Sequence, residues 1–444
     1  MTMKYPRAGL LEEKAMLDMV RIRNNAEEVR NALKKRLIDV DFSELLGWDA
    51  ARRGLITGME EMKAKRNKVS GEIPRLKSRA EDVTTLVAEM KELGESIRLL
   101  EEELKNLEGK IHDFVSGLPN IPAEDVIAGG KENNQVVRLF GEKPQFSFNP
   151  KNHVDLVTSL GLIDYERGVK IGGNGFWIYT GDGALLEWAL LNYFIEEHIR
   201  DGYVFMLPPH ILNWQSGYTA GQFPKFEEDV FRIEGGEEGK MQFILPTAET
   251  ALINFHRNEI LNEEDLPKKY FAYSPCYRKE AGSYRAEERG MIRGHQFNKV
   301  EMFQYVTPDN SEAALEELVG KAERLVRGLG LHHQVSKLAA QDVSAGMGKT
   351  YDIEIWIPSM NIYKEVSSCS NAYDYQARRG NIRYRRKDTK KNEFLHTLNA
   401  SGLATSRVLP AIVEQFQQED GSVLVPQVLQ KWVGKTLLVP TRRQ

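Results

Sequence analysis

The apolar residues Leu86, Met90, Leu93, Ile97, Leu100, Leu104, Leu107, Ile111 and Phe114 are spaced alternately by four and three. That is a heptad seam, and a helix carrying one buries it only against another helix. A partner stands just upstream, where Leu55, Met59, Met62, Val69, Ile73 and Leu76 keep much the same spacing and Arg66 interrupts the stripe. The polar stretch 77–82 can reverse the chain between them. Pro74 has no amide hydrogen to give and its ring crowds the preceding turn, so the first helix is expected to end or kink nearby. The simplest arrangement is one antiparallel two-helix arm over about 48–115, with a parallel coil between two chains as the alternative. Residues 17–40 read as a short helix and linker.

Charge is uneven along this arm. Lys63, Lys65, Arg66, Lys68, Arg75, Lys77 and Arg79 share their stretch with one acid, Glu72, whereas the second helix is rich in glutamate. A solvated helix face explains such a run, and so does a phosphate backbone held away from the body of the protein. The formal net charge of -4 excludes blanket attraction to nucleic acid, so any such contact must be local. Two cysteines, Cys276 and Cys369, are too few for a disulfide framework and lack the spacing of a zinc site, which points to a reducing, cytoplasmic setting. No apolar run is long enough to span a bilayer, and the polar start is no secretory signal; Met16 offers a second start beside Met1.

Pro and Gly clusters between 117 and 140 divide the chain into an N-terminal domain, 1–125, and a larger domain, 126–444. In the latter, helical patterns at 184–199 and 311–329 mix irregularly with strand patterns at 242–245, 270–280, 295–306 and 351–357. Strands clustered in hairpins imply an α+β fold, a mainly antiparallel sheet flanked by helices. No P-loop or dinucleotide fingerprint is present. The hairpin 270–306 packs charge onto what reads as two strands. Alternation puts Arg278 with Glu280 on one face, and Phe297, Lys299, Glu301 and Phe303 on one face of the returning strand. A cation, carboxylates and a ring could converge there; a solvated face with cross-strand ion pairs fits the same residues.

The arm, this hairpin and several further segments together resemble the seryl-tRNA synthetases, a family of class II aminoacyl-tRNA synthetases, over residues 16–437. Segment 275–305 resembles the second class II motif in its seryl form. Segments 363–371 and 396–404 resemble the late active-site strand and third motif, and 221–229 with Thr247-Ala248-Glu249 complete the set. The resemblance implies a class II catalytic domain that activates L-serine with ATP and transfers the seryl group to tRNA(Ser). It implies that Arg278 binds the α-phosphate and Arg407 the terminal phosphate. Phe297 would stack on adenine with Glu280 near its amino group, and Lys279, Gly294, Val366 and Ser367 would complete the ATP site. Glu365 and Ser368 align with the family's magnesium (Mg2+) ligands, and Thr247, Ala248, Glu249, Arg278, Glu301, Asn399 and Ser401 with its serine pocket. The basic arm would grip the tRNA, and segment 187–209 would build a homodimer.

The sequence also departs from the family pattern. Ala400 and Ser406 stand where glycine is usual, 340–346 replaces a Thr-Gly-Asp-rich stretch, and the hairpin loop 284–288 carries two adjacent acids. Added β-carbons are expected to reshape the nucleotide pocket. These departures motivate two alternatives: a specialised copy serving antibiotic resistance or a biosynthetic pathway, and a paralogue that binds tRNA or an effector without ligase activity.

Overall fold

The computed structural model describes residues 17–235, 241–280 and 290–440, so the loop 284–288 lies outside the described residues. Two compact units divide at Pro119: one holds Ile38–Pro119 and the residues up to Leu33, the other Lys34–Leu37 with Asn120 onward.

In the first unit two short helices, Met19–Asn24 and Ala26–Lys34, occupy the segment expected to hold one. Two long helices follow, α1 (Ser43–Ser78) and α2 (Thr84–Ser116), packed on each other and joined by a short turn. The seam behaves as its spacing demands. Ile97, Leu104 and Ile111 are buried, the remaining seam positions are half-buried, and the residues between them are mostly exposed. Pro74 lies inside α1, and the helix ends shortly after it, at Ser78. Pro74 faces solvent, while Ile73 and Leu76 on either side of it are half-buried along the seam. Continuing the apolar stripe outweighs one lost amide hydrogen bond this close to the helix end. The reversal comes at Ala80, with φ of 57°, and Asp82 opens α2 by accepting the Thr84 amide at 2.9 Å.

The second unit is built on an eight-stranded sheet. In chain order its strands are β1 (Gln135–Phe140), β2 (Val204–Met206), β3 (Lys268–Tyr277), β4 (Gln296–Val306), β5 (His333–Lys337), β6 (Lys349–Ile357), β7 (Ile362–Tyr373) and β8 (His396–Ala404). Across the sheet the order is β1-β5-β6-β7-β8-β4-β3-β2, antiparallel throughout except for the β2–β3 pair. Three helices, α3 (Asp182–Arg200), α4 (Ser311–Gly328) and α5 (Thr405–Gln415), supply most of the apolar partner surface.

Alternation along the central strands separates core from site. Val300 and Met302 of β4 and Leu398 and Ala400 of β8 enter the large apolar core, whereas Lys299, Glu301, Asn399 and Ser401 face the other way. Ala400 opposes Met302 and Cys369 in the sheet and is fully buried with them. Its extra β-carbon therefore fills core rather than pocket, which corrects the expectation for that residue; Ser406 does line the cleft. One strand reading also needs correction. β3 ends at Tyr277, so Arg278 and Glu280 lie beyond it, with Glu280 at φ of 49°. Glu249, two residues after Thr247, opens the short helix Glu249–Leu252. Among the described residues, no helix is long and apolar enough to cross a membrane.

Candidate active site

Beyond the end of the β3–β4 hairpin a cleft is lined by Arg278, Glu280, Ile292, Arg293, Gly294, Phe297, Lys299, Glu365, Val366, Ser401, Ala404, Ser406 and Arg407. Hairpin pairing continues one step past β3, with the Arg278 amide donating to the His295 carbonyl at 2.9 Å and His295 Nδ1 lying 2.9 Å from the Arg278 carbonyl. This holds Arg278 so that its guanidinium sits 5.2 Å from the Phe297 ring centre, and its Nε donates to the Pro246 carbonyl at 3.3 Å. Gly294 is required by a close approach, because a β-carbon there would meet the Trp177 ring at 2.1 Å. Arg293 donates to Glu280 Oε2 at 2.7 Å across one wall. On the other side Arg407, in the first turn of α5, donates to the Glu365 carbonyl at 2.7 Å and to the Ile292 carbonyl at 3.2 Å, with the Glu365 carboxylate 3.5 Å away.

Three arginines and a flat ring on one cleft suit a polyanion carrying an aromatic base. The structure brings Arg278, Glu280, Gly294, Phe297, Glu365, Val366 and Arg407 together there. Lys279, Ser367 and Ser368 do not line it. The Ser367 hydroxyl donates to the Ser401 carbonyl at 2.5 Å, tying β7 to β8. Ser368 lies opposite Asp352 on β6 and donates to its carboxylate at 2.7 Å. A bulge where β7 passes Ile353 and Glu354 shifts the alternation between Glu365 and Ser367. Burial raises the Asp352 carboxyl well above the usual range, and the Glu365 charge raises it further. Among the described residues no cluster of three or more His, Cys, Asp or Glu could hold a metal by itself.

Deeper in, a buried polar group joins β4, β8 and the Thr247 segment. Lys299 lies 2.6 Å from Glu301 Oε2 and donates to the Thr247 hydroxyl at 2.6 Å. Asn399 donates to Glu301 at 3.0 Å and Ser401 at 3.4 Å. Glu249 joins them electrostatically, accepting the Gln376 side-chain amide at 2.7 Å. Burial pushes its carboxyl up to about 7, with the like charge of Glu301 adding to the effect and Gln376, Lys299 and Arg278 opposing it. Ala248 is buried in the apolar cluster that also holds Phe303. Sequence reasoning placed Lys299 on this face without giving it a role; its spacing from Glu301 was the available signal. It missed Asp352 and Gln376, which no local pattern marks.

A mostly antiparallel sheet with an arginine-lined cleft at a hairpin is the class II aminoacyl-tRNA synthetase arrangement, and residues 231–416 match the model of the "tRNA synthetase class II core domain (G, H, P, S and T)". The chain is of that class. Residues 16–122 match the "Seryl-tRNA synthetase N-terminal domain". A protein named serine–tRNA ligase 2 from Clostridium acetobutylicum is 64% identical over 425 residues, 95% of this chain and 100% of the relative. A serine–tRNA ligase from Thermodesulfovibrio yellowstonii is 47% identical over 94% of this chain and 99% of its own length. A crystal structure of seryl-tRNA synthetase from Pyrococcus horikoshii complexed with ATP superposes with a TM-score of 0.89 at 34% identity, covering 96% of this chain and 100% of that one. The chain belongs to the seryl-tRNA synthetase family.

Proposed function

We propose that the cleft binds ATP and the buried polar group beneath it binds serine, so that the serine carboxylate attacks the α-phosphate and the seryl group then passes to tRNA. The observation that carries this is the junction of the two sites. Arg278 and Phe297 border the cleft, while Lys299 and Ser401 also line it and pair with the fully buried Glu301 of the carboxylate pocket. An ionised carboxylate needs no general base, so the protein supplies alignment and positive charge. In this reading Phe297 stacks the base, Arg278 takes the α-phosphate and Arg407 the terminal phosphate. Lys279, Gly294, Val366 and Ser367 shape the surroundings. Glu249 and Glu301 face the ammonium, and Thr247, Asn399 and Ser401 are polar partners for the rest of serine.

Glu365, which lines the cleft, and the Ser368 hydroxyl, which lies off its lining and donates to Asp352, would hold magnesium completed by phosphate oxygens and water rather than an all-protein cage. When bound, the ion neutralises phosphate charge. The apolar side chains exposed on α3 and just after it, among them Trp188, Val204, Leu207 and Ile211, support a second copy docking there. Charging of tRNA with labelled serine tests the whole reading: an ester-linked product is expected, and its absence contradicts it.

Two further outcomes follow. Glu249 must be ionised to hold an ammonium, so the KM for serine is expected to rise about tenfold per pH unit below 7 and level off above it. A profile flat from pH 6 to 8 contradicts that. On the arm, Lys65, Lys68, Arg75, Lys77 and Arg79 are exposed, whereas Arg66 is half-buried and Lys63 pairs with Glu101 at 2.7 Å. Replacing Lys65, Arg66 and Lys68 with Ala should weaken tRNA binding and flatten its salt dependence while pyrophosphate exchange is kept. An unchanged salt slope contradicts the assignment.

A further inference from the structure

Gln376 belongs to the short helix Tyr375–Gly380 that follows β7, and it is completely buried. Its side-chain nitrogen donates to Glu249 Oε1 at 2.7 Å and to the Ala220 carbonyl at 3.1 Å. Both are oxygens that the amide nitrogen, not its oxygen, must face, so the orientation of the side chain is fixed by chemistry. The amide oxygen then accepts the Thr397 hydroxyl of β8 at 2.8 Å. One turn on, Arg379 locks the same helix down, donating to the carbonyls of Tyr218 and Phe223 at 2.9 and 3.0 Å between the rings of Tyr218 and Tyr375. Gln376 therefore joins three chain segments and cannot swing away without breaking all of its bonds.

We propose that Gln376 is a positioning residue for amino-acid recognition, holding the Glu249 carboxylate from behind so that its charge is directed at the ammonium of the substrate. The inference rests on the serine pocket proposed above. The groups facing Glu249 are Glu301 and Lys299 from β4, Arg278 beyond β3, and Gln376 itself. Lys299 is already committed to Glu301 and Thr247. Of the two carboxylates, one has a cation within the protein and the other has an amide. A neutral donor favours the ionised carboxylate without cancelling its charge, leaving that charge for an incoming ammonium. A lysine or arginine in its place would satisfy Glu249 internally and remove the reason for an amino acid to bind.

The test is Gln376→Met, which keeps the volume and removes the donor, assayed by pyrophosphate exchange with serine and ATP varied separately. The KM for serine at pH 7 is expected to rise about tenfold or more, as for loss of a hydrogen bond to a charged group, with the KM for ATP unchanged. The midpoint of the serine pH profile should move upward, so that part of the loss is recovered at pH 8.5. Equal rises in both KM values, or an unmoved midpoint, overturn the inference. Should Gln376→Met not fold, Thr397→Val, which releases only the amide oxygen, is expected to move the serine KM and midpoint in the same direction by less; no movement overturns the inference. Glu249→Gln distinguishes the two levels. If it leaves serine binding intact, the pocket assignment falls and this proposal with it; if it abolishes binding while Gln376→Met is neutral, only the proposal falls.

Discussion

Arg278→Ala should lower the rate of serine-dependent pyrophosphate exchange by about 10³-fold or more, the size expected when a donor aimed at developing phosphate charge is removed from a preorganised site. Arg278 is held by a backbone pair to His295 and a bond to the Pro246 carbonyl, and its guanidinium lies 5.2 Å from the Phe297 ring centre. None of these contacts is a buried ion pair, so the fold should survive the change and the thermal midpoint should move little. Arg278→Lys is expected to remain severely impaired, because a point charge replaces a planar fork able to hold two oxygens. A loss smaller than tenfold with a normal fold would remove Arg278 from the phosphate site.

Glu249→Gln and Glu301→Gln should differ in sign for stability while both impair serine binding. Burial raises the Glu249 carboxyl from 4.5 to about 7, so between those pH values the unfolded chain has released a proton that the folded chain keeps. The wild-type fold therefore loses stability as pH rises across that window and does not regain it above, a loss on the order of 3 kcal/mol. Glu249→Gln removes the loss. It should unfold later than wild type at pH 8, match it near pH 4.5, and lose serine affinity by about 10²-fold or more, as when a charged partner is removed. Glu301 is different because Lys299, itself buried, lies 2.6 Å from it. Glu301→Gln leaves that ammonium without its counter-charge and should destabilise the fold by about 3–5 kcal/mol. Thermal melts at pH 5 and pH 8 check both, and a Glu249 variant less stable than wild type at pH 8 contradicts the first.

The arm and the alternation of the central hairpin could be read from the chain because each is a periodic signal: the heptad from Leu86 to Phe114, and the face shared by Lys299 and Glu301. Arg278 and Arg407 were found through the family resemblance, and the cleft brings them together. What escaped the sequence depends on contacts between distant segments. Gln376 meets Glu249 and Ala220 across 127 and 156 residues, and no local spacing announces either contact. Pro74 was read by its local penalty, which puts the helix end near it, but the seam on both sides is what carries α1 on to Ser78. At Ala400 the substitution was visible but the face was not; register against Met302 and Cys369 turns it to the core.

The central claim is that one site joins ATP to serine, and amino-acid-dependent exchange of pyrophosphate into ATP measures it directly. Purified protein with ATP and magnesium should exchange rapidly with serine. With alanine it should be slower by roughly 10⁴-fold, because a pocket built to pair a hydroxyl leaves its polar groups unmatched when the hydroxyl is missing. Threonine and cysteine should also fall well below serine. Exchange with none of the four would contradict ATP-dependent activation at this site, and a preference for any of them over serine would contradict the pocket formed by Thr247, Glu249, Glu301, Asn399 and Ser401.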